Sequence, residues 1–273
     1  MRVLLAAPSS PARLHNLVPL AWALRTAGHD VKIAGEPSFV GEILTTGCVA
    51  ADLGLAEFAE LWRPAVVVSD ATVPAGTDAV RLRGPLDEPG PGFDTVPPSL
   101  RDPVADARPI RHVPYFGPVE VPGWLRRKAR RSRVLLSLTD ATPAGPVFEA
   151  VAGLDAEVVW ATDPAGIPAG VTMPPNVRLV DAAPPAAVLP TCAAVVHDGD
   201  ASLALAAASF GLPQLSLTET PIGARIAAVG AGRVGPASAV AELASLRGAA
   251  EALREEIAAL PAPRDVVAEL TRA

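Results

Sequence analysis

The sequence predicts an α/β protein made of two halves with parallel strands, and three observations carry that expectation. The first is the opening. Residues 3–7 form a short apolar run, residues 17–27 place apolar side chains at helical spacing up to Gly28, and residues 31–34 form a second apolar run. A strand, a crossover helix and a strand make a parallel pair. The second is residues 195–215, VVHDGDASLALAAASFGLPQL: a short apolar run into His197, a tight turn Asp198-Gly199-Asp200, and helix formers from Ala201 to Phe210 stopped by Gly211 and Pro213. The third is a series of short apolar runs in the second half, at 133–138, 158–161, 177–180, 193–196 and 214–217. Helical stretches at 146–152 and 201–210 interrupt them.

Along the chain, 9–16 reads as the loop after the first strand, 38–46 as a second helix ending at Gly47, and 66–69 as a third strand. Residues 81–109 are dense in Pro, Gly and Asp and predict a long loop of the kind that is functional or mobile. The basic run Arg126-Arg127-Lys128-Ala129-Arg130-Arg131-Ser132-Arg133 has the composition to touch phosphate. As a short cluster ahead of a strand it reads as a solvated linker. Residues 239–259 carry Leu243, Leu246, Leu253 and Ile257 at helix-like spacing and predict one or two helices packing back across the molecule.

At 273 residues, half of them hydrophobic, the chain can bury a substantial core. A net charge of −6 with mixed signs gives no electrostatic reason to expect nucleic acid or an anionic membrane as partner. Cys48 and Cys192 have neither metal-ligand nor disulfide spacing and read as small core residues of a cytoplasmic protein. The first residues are too short an apolar stretch for a signal peptide, and no run reaches bilayer length.

In order along the chain, MRVLLAAPSS, VPLAWALRTAGHDVKIAGEPSF, WRPAVVVSDATVPAG, PPSLR, HVPYFGP, VPGWL, NVRLVD, LPTCAAVVHDGD, GLPQL and GAG resemble the blocks of the actinomycete natural-product (macrolide-type) GT-B glycosyltransferases. The resemblance implies a GT-B-like fold of two Rossmann-like domains with parallel sheets. The amino-terminal domain is reduced, because the strands and helices that shape the family's acceptor pocket between the blocks around 69 and 98 are missing. It also implies domains at 1–111 and 133–273 joined by a connector at 112–132.

Set against the family residue by residue, the site is altered. The family's turn reads His-His-Gly-Gly-Ala-Gly-Thr and holds a sugar-nucleotide diphosphate on free N–H groups and the helix dipole; this chain has His197-Asp198-Gly199-Asp200-Ala201-Ser202-Leu203. The family's general base, a His shortly before the VPLAWAL-like helix, aligns with Arg13, which cannot accept a proton at neutral pH. His15, two residues on, is either a displaced base or a cap or surface group. The Gly-Thr pair beside the diphosphate is matched by Thr139-Asp140. The base-stacking aromatic is absent from Asp181-Ala182-Ala183-Pro184, a loss of roughly 1–3 kcal/mol. The sugar-binding Asp-Gln is matched by Glu219-Thr220.

Asp140, Asp198 and Asp200 near a diphosphate would each repel it by roughly 4 kcal/mol at about 4 Å and an effective dielectric near 20, against at most about 2 kcal/mol from the dipole. The sequence therefore predicts a secondary-metabolite protein that has lost nucleotide-sugar use. Its candidate catalytic residues are His197, Asp198, Asp200, Glu219 and His15, for acid–base cyclisation, dehydration or rearrangement of a polyketide-like intermediate. Arg13, Asp140, Ser202, Thr220, Ser69 and Asp70 are its candidate substrate-binding residues. Two other readings stay open: a non-catalytic partner of another biosynthetic enzyme, and a surviving deoxysugar transferase. Asp198 and Asp200 also read simply as helix caps. No cofactor or metal is expected; the expected partners are a natural-product intermediate, another pathway enzyme and a second copy of the chain.

Overall fold

Val3, Leu4, Leu5 and Ala6 are all buried, as a central parallel strand covered on both faces requires. In the computed structural model they form β1 (Arg2–Ala6). The structure describes residues 1–74, 78–126, 129–139, 142–162, 172–180 and 184–272. These divide into two compact units, Met1–Pro118 with Ile257–Ala273, and Val119–Glu256.

In the first unit β1 is followed by α1 (Pro11–Thr26), β2 (Asp30–Ala34), α2 (Val40–Thr45), β3 (Val49–Ala50), α3 (Leu55–Trp62) and β4 (Val66–Asp70). Val3 and Leu5 pack with Leu14, Leu17, Val18 and Leu24 of α1, whereas Leu4, on the opposite face, packs with Phe58 of α3. α1 begins within the stretch expected as a loop. Pro11 at its start loses no helical hydrogen bond, and Leu14 already points into the core, while the polar Arg13, His15 and Asn16 hide that first turn from a hydrophobic-pattern reading. Arg13 and His15 are therefore helical residues.

The long loop expected at 81–109 is corrected by three short strands, β5 (Val80–Arg83), β6 (Gly92–Asp94) and β7 (Ala107–Pro109). They extend the sheet in the order β3-β2-β1-β4-β5-β6-β7, every pair parallel. Strands of three or four residues amid Pro and Gly carry too little alternation to stand out in sequence. Parallel neighbours are usually joined through a helix. Among the described residues between β4 and β7 there is no α-helix, which is the form that the reduction of this domain takes.

The second unit holds β8 (Ser132–Ser137), α4 (Ala144–Ala152), β9 (Ala156–Ala161), β10 (Val177–Val180), α5 (Pro185–Val188), β11 (Ala194–His197), α6 (Ala201–Ser209), β12 (Gln214–Ser216), α7 (Pro221–Ala228) and β13 (Gly232–Val234). Its sheet order, β10-β9-β8-β11-β12-β13, is that of a dinucleotide-binding Rossmann sheet, again all parallel. The stretch expected as terminal helices is a 3-10 run over Ala237–Leu246 followed by α8 (Arg247–Ala259); Leu243 and Leu246 pack against α4 in the core. The last helix, α9 (Pro263–Leu270), belongs to the first unit, where Val266, Val267 and Leu270 join the α1 core. Among the described residues no helix is long and apolar enough to cross a membrane.

Two consequences can be measured. Gly92 has φ +106°, and a Cβ there would stand 2.5 Å from the carbonyl oxygen of Arg81, so Gly92→Ala is expected to lower stability by roughly 1–3 kcal/mol. An unchanged urea midpoint would show that β6 does not need this glycine. Burial holds the His112 ring down at about 4, against an ordinary value of 6.5. The unfolded chain therefore takes up this proton first as pH falls. The stability held by neutral His112 is present above pH 6.5, declines down to about 4 and is level below. Stepped-pH denaturation of wild type and His112→Gln should differ in slope within that window; equal slopes would contradict it.

Candidate functional site

Two clusters contain most of the expected residues, one in each unit. In the first, α1 carries Arg13 to the end of β4. Its Nη1 lies 3.2 Å from Asp70 Oδ1 and 2.5 Å from Asp87 Oδ1, and Nη2 donates to the Leu86 carbonyl at 3.0 Å. Both carboxylates are almost wholly buried. Burial alone would lower the Arg13 pKa, but the bond to Asp87 and the charges of both acids outweigh it and the net shift is upward. Asp70 also accepts from the Thr72 amide and hydroxyl, and Asp87 from the Gly84 amide. Ser69 is fully buried, donates to the Val73 carbonyl and accepts from Arg81. Arg101 continues the network, donating to the Asp87 and Gly84 carbonyls and pairing with Asp94 at 3.0 Å. Asp94 is raised by burial, opposed by the Val96 amide and Arg101.

His15 is turned elsewhere. Its ring meets Tyr115 edge-on at 5.1 Å, Tyr115 in turn meets Trp22, Nε2 is buried without a hydrogen bond, and burial lowers its pKa against the charge of Glu42.

In the second unit the acidic turn follows β11. His197 is 1% exposed. Its Nδ1 accepts from the Gly199 amide at 3.1 Å, so Nε2 carries the proton and donates to Gln214 Oε1 at 3.0 Å; Gln214 in turn donates to the Ala204 carbonyl. Burial lowers the His197 pKa against opposition from Gln214, Asp200 and Asp198. Asp200 caps α6: its Oδ1 accepts from the amides of Ser202 at 2.8 Å and Leu203 at 3.0 Å. Asp198 reaches the end of β8, where its Oδ2 accepts from the Thr139 amide at 2.5 Å and the Thr142 hydroxyl at 3.2 Å. Gly199 has φ +107°, and a Cβ there would stand 2.8 Å from Thr220 Cγ2. Thr220 caps α7 through the Gly223 amide, and Glu219 is exposed.

The structure thus brings together His197, Asp198, Asp200, Ser202 and Thr220, and separately Arg13, Ser69 and Asp70. Asp140 and residues 181–183 lie outside the described residues. Sequence reasoning missed Asp87, Arg101, Thr142 and Gln214. A glutamine inside the buried run ending at Leu217 was a signal, since a buried amide needs a partner. Asp87 lay in a stretch with no periodicity. Among the described residues no three His, Cys, Asp or Glu converge as metal ligands. Burial pushes the Cys192 thiol up to about 12.

A β-strand, a tight turn and a helix N-terminus at the carboxyl edge of a Rossmann sheet form an anion-binding geometry, and comparison with known proteins says whose. Residues 146–272 match the family model described as Erythromycin biosynthesis protein CIII-like, C-terminal domain. TDP-daunosamine transferase DnrS of Streptomyces peucetius is 30% identical, with 80% of each chain covered. The chain belongs to the actinomycete natural-product glycosyltransferases. Tylactone mycaminosyltransferase of Streptomyces fradiae is 28% identical over 417 aligned positions, covering all of this chain and 92% of that one. The present chain has only 273 residues, so the relative has stretches without counterpart here. The glycosyltransferase VinC, solved in complex with DTDP, superposes with a TM-score of 0.88 at 26% identity, covering 100% of this chain and 99% of that one. The fold is accordingly GT-B-like with a reduced amino-terminal domain.

Removing a charge tests each cluster. Arg13→Met leaves two buried carboxylates without a counter-ion and should cost about 3–5 kcal/mol, with part of the loss recovered in a triple variant that also carries Asp70→Asn and Asp87→Asn. A loss below about 1 kcal/mol would mean that the acids find water instead. Asp200→Ala removes the cap of α6 and should cost roughly 0.5–2 kcal/mol in the urea-derived stability.

Proposed function

We propose that this glycosyltransferase homologue serves the biosynthesis of a natural product without taking a nucleotide sugar as donor. One observation carries the reading. The amides of Ser202 and Leu203, and that of Thr139 on the neighbouring strand end, already bind carboxylates of the chain itself. A diphosphate would have to displace Asp200 and Asp198 and then remain beside them. Each unit-charge pair at about 4 Å and an effective dielectric near 20 repels by roughly 4 kcal/mol, more than the helix dipole returns, about 2 kcal/mol at most. The position aligned with the family's base supports the same reading, because Arg13 stays protonated and is held by two acids.

Within this reading the geometry favours an auxiliary, non-catalytic role beside another biosynthetic enzyme over acid–base cyclisation. Both His197 nitrogens are engaged within the fold, Asp198 and Asp200 accept from the backbone, and His15 is enclosed in an aromatic cluster. The second reading, transfer of a deoxysugar from a nucleotide sugar to a natural product, is favoured by the similarity to the daunosamine and mycaminose transferases.

Thymidine diphosphate added to the full chain decides between them. The proposal expects the amides of Gly199 to Leu203 to keep their NMR shifts up to millimolar ligand, and an Asp198→Gly, Asp200→Gly double variant to gain binding there. Micromolar binding that moves those amides in the wild type would remove the proposal and leave the sugar transferase.

A further inference from the structure

Three arginines of the basic run, Arg130, Arg131 and Arg133, find a use at the opposite end of the second sheet from the acidic turn. β8, β9 and β10 start side by side, and their register sets Arg133 directly across from Glu157. Arg133 is 3% exposed; its Nη2 lies 2.8 Å from Glu157 Oε2, and Nη1 donates to the Thr191 hydroxyl at 2.6 Å. Arg178 of β10 approaches the other oxygen of the same carboxylate at 3.7 Å. Both guanidinium groups lie against the Trp124 ring, 5.0 and 4.8 Å from its centroid.

These groups, with the exposed Arg130 and Arg131, line a cavity of about 680 Å³. Among the described residues four arginines line it with one carboxylate, Glu157, which two of them share, so the described lining carries surplus positive charge. Arg131 reaches Asp155, an acid almost wholly in water, and Arg130 has no acidic partner among the described residues. In a chain whose net charge is −6, such a concentration is a local feature of the site. The Trp124 ring and Glu157 hold the two inner arginines in place before any ligand arrives, the preorganisation that charge-assisted recognition needs.

We propose that this cavity binds a small organic phosphate. The volume lies in the range of small-molecule pockets, and guanidinium groups lining one cavity suit the several oxygens of a phosphoryl group. The site is separate from the strand–turn–helix cradle: the cradle lies at the carboxyl ends of the strands, and this cavity lies at their starts.

Inorganic pyrophosphate is a sufficient probe. Titrated calorimetrically into the full chain at low salt, it is expected to bind saturably below millimolar concentration. Arg130→Gln and Arg178→Gln, both at exposed positions, should each weaken binding by about tenfold without moving the ligand-free thermal midpoint. An Asp198→Ala variant should bind as the wild type does. No saturable heat, or binding that both arginine variants leave unchanged, would overturn the proposal. Because the readout is pyrophosphate affinity in the arginine variants, its failure is separate from any failure of the donor-independent reading, which is read at the amides of Gly199 to Leu203.

Discussion

The first unit is organised around one half-buried cation set against two buried carboxylates. Arg13 on α1 ties the end of β4, through Asp70, to the segment leading into β6, through Asp87 and the Leu86 carbonyl. That segment has no crossover helix to anchor it, and β5 to β7 are short. Burying charges is expensive, so such a triad adds little net stability compared with an apolar cluster of the same size. Its effect is to specify position: a guanidinium with fixed directions accepts only one arrangement of Asp70, Asp87 and the backbone between them. Arg101 repeats the device one step further on, joining the Asp87 and Gly84 carbonyls to Asp94. A shortened domain thus keeps a seven-stranded sheet with polar links doing part of what helices do elsewhere.

The second unit has the full six-stranded Rossmann order. Its strand order, the glycine at φ +107° in the turn, and the buried His197–Gln214–Ala204 chain hold the β11–α6 junction in the form that binds anions. In this chain the carboxylates of Asp198 and Asp200 already accept from the amides there. A carboxylate on the chain is present at an effective concentration no free ligand reaches, and it satisfies the amides that every helix N-terminus leaves open. In the proposed reading the carboxylate that caps α6 also opposes a phosphate at its start.

Much of this was legible in the sequence. The opening strand–helix–strand unit and the short apolar strands of the second half stand out because a buried parallel strand is apolar on both faces, as at Leu4, Leu5 and Val195. The first turn of α1 was not legible, since Arg13 and His15 serve long-range partners and interrupt the periodic pattern. β5 to β7 were illegible for a related reason: three or four residues hold no period, and only pairing in succession, β5 on β4, β6 on β5 and β7 on β6, makes them strands. For the site, the two acids of the turn could be read as an altered anion cradle, and their reading as caps was equally available.

The order of residues alone determined the fold class, the family and the presence of Asp198 and Asp200 in the turn, because these depend on local pattern and spacing. Which amides those carboxylates take, that Arg13 stands between Asp70 and Asp87, and that Arg130 and Arg178 share one cavity were decided only by the tertiary structure. Each of these joins groups distant in sequence. Side-chain hydrogen bonds and ion pairs act over a few ångströms, and only folding brings such groups that close.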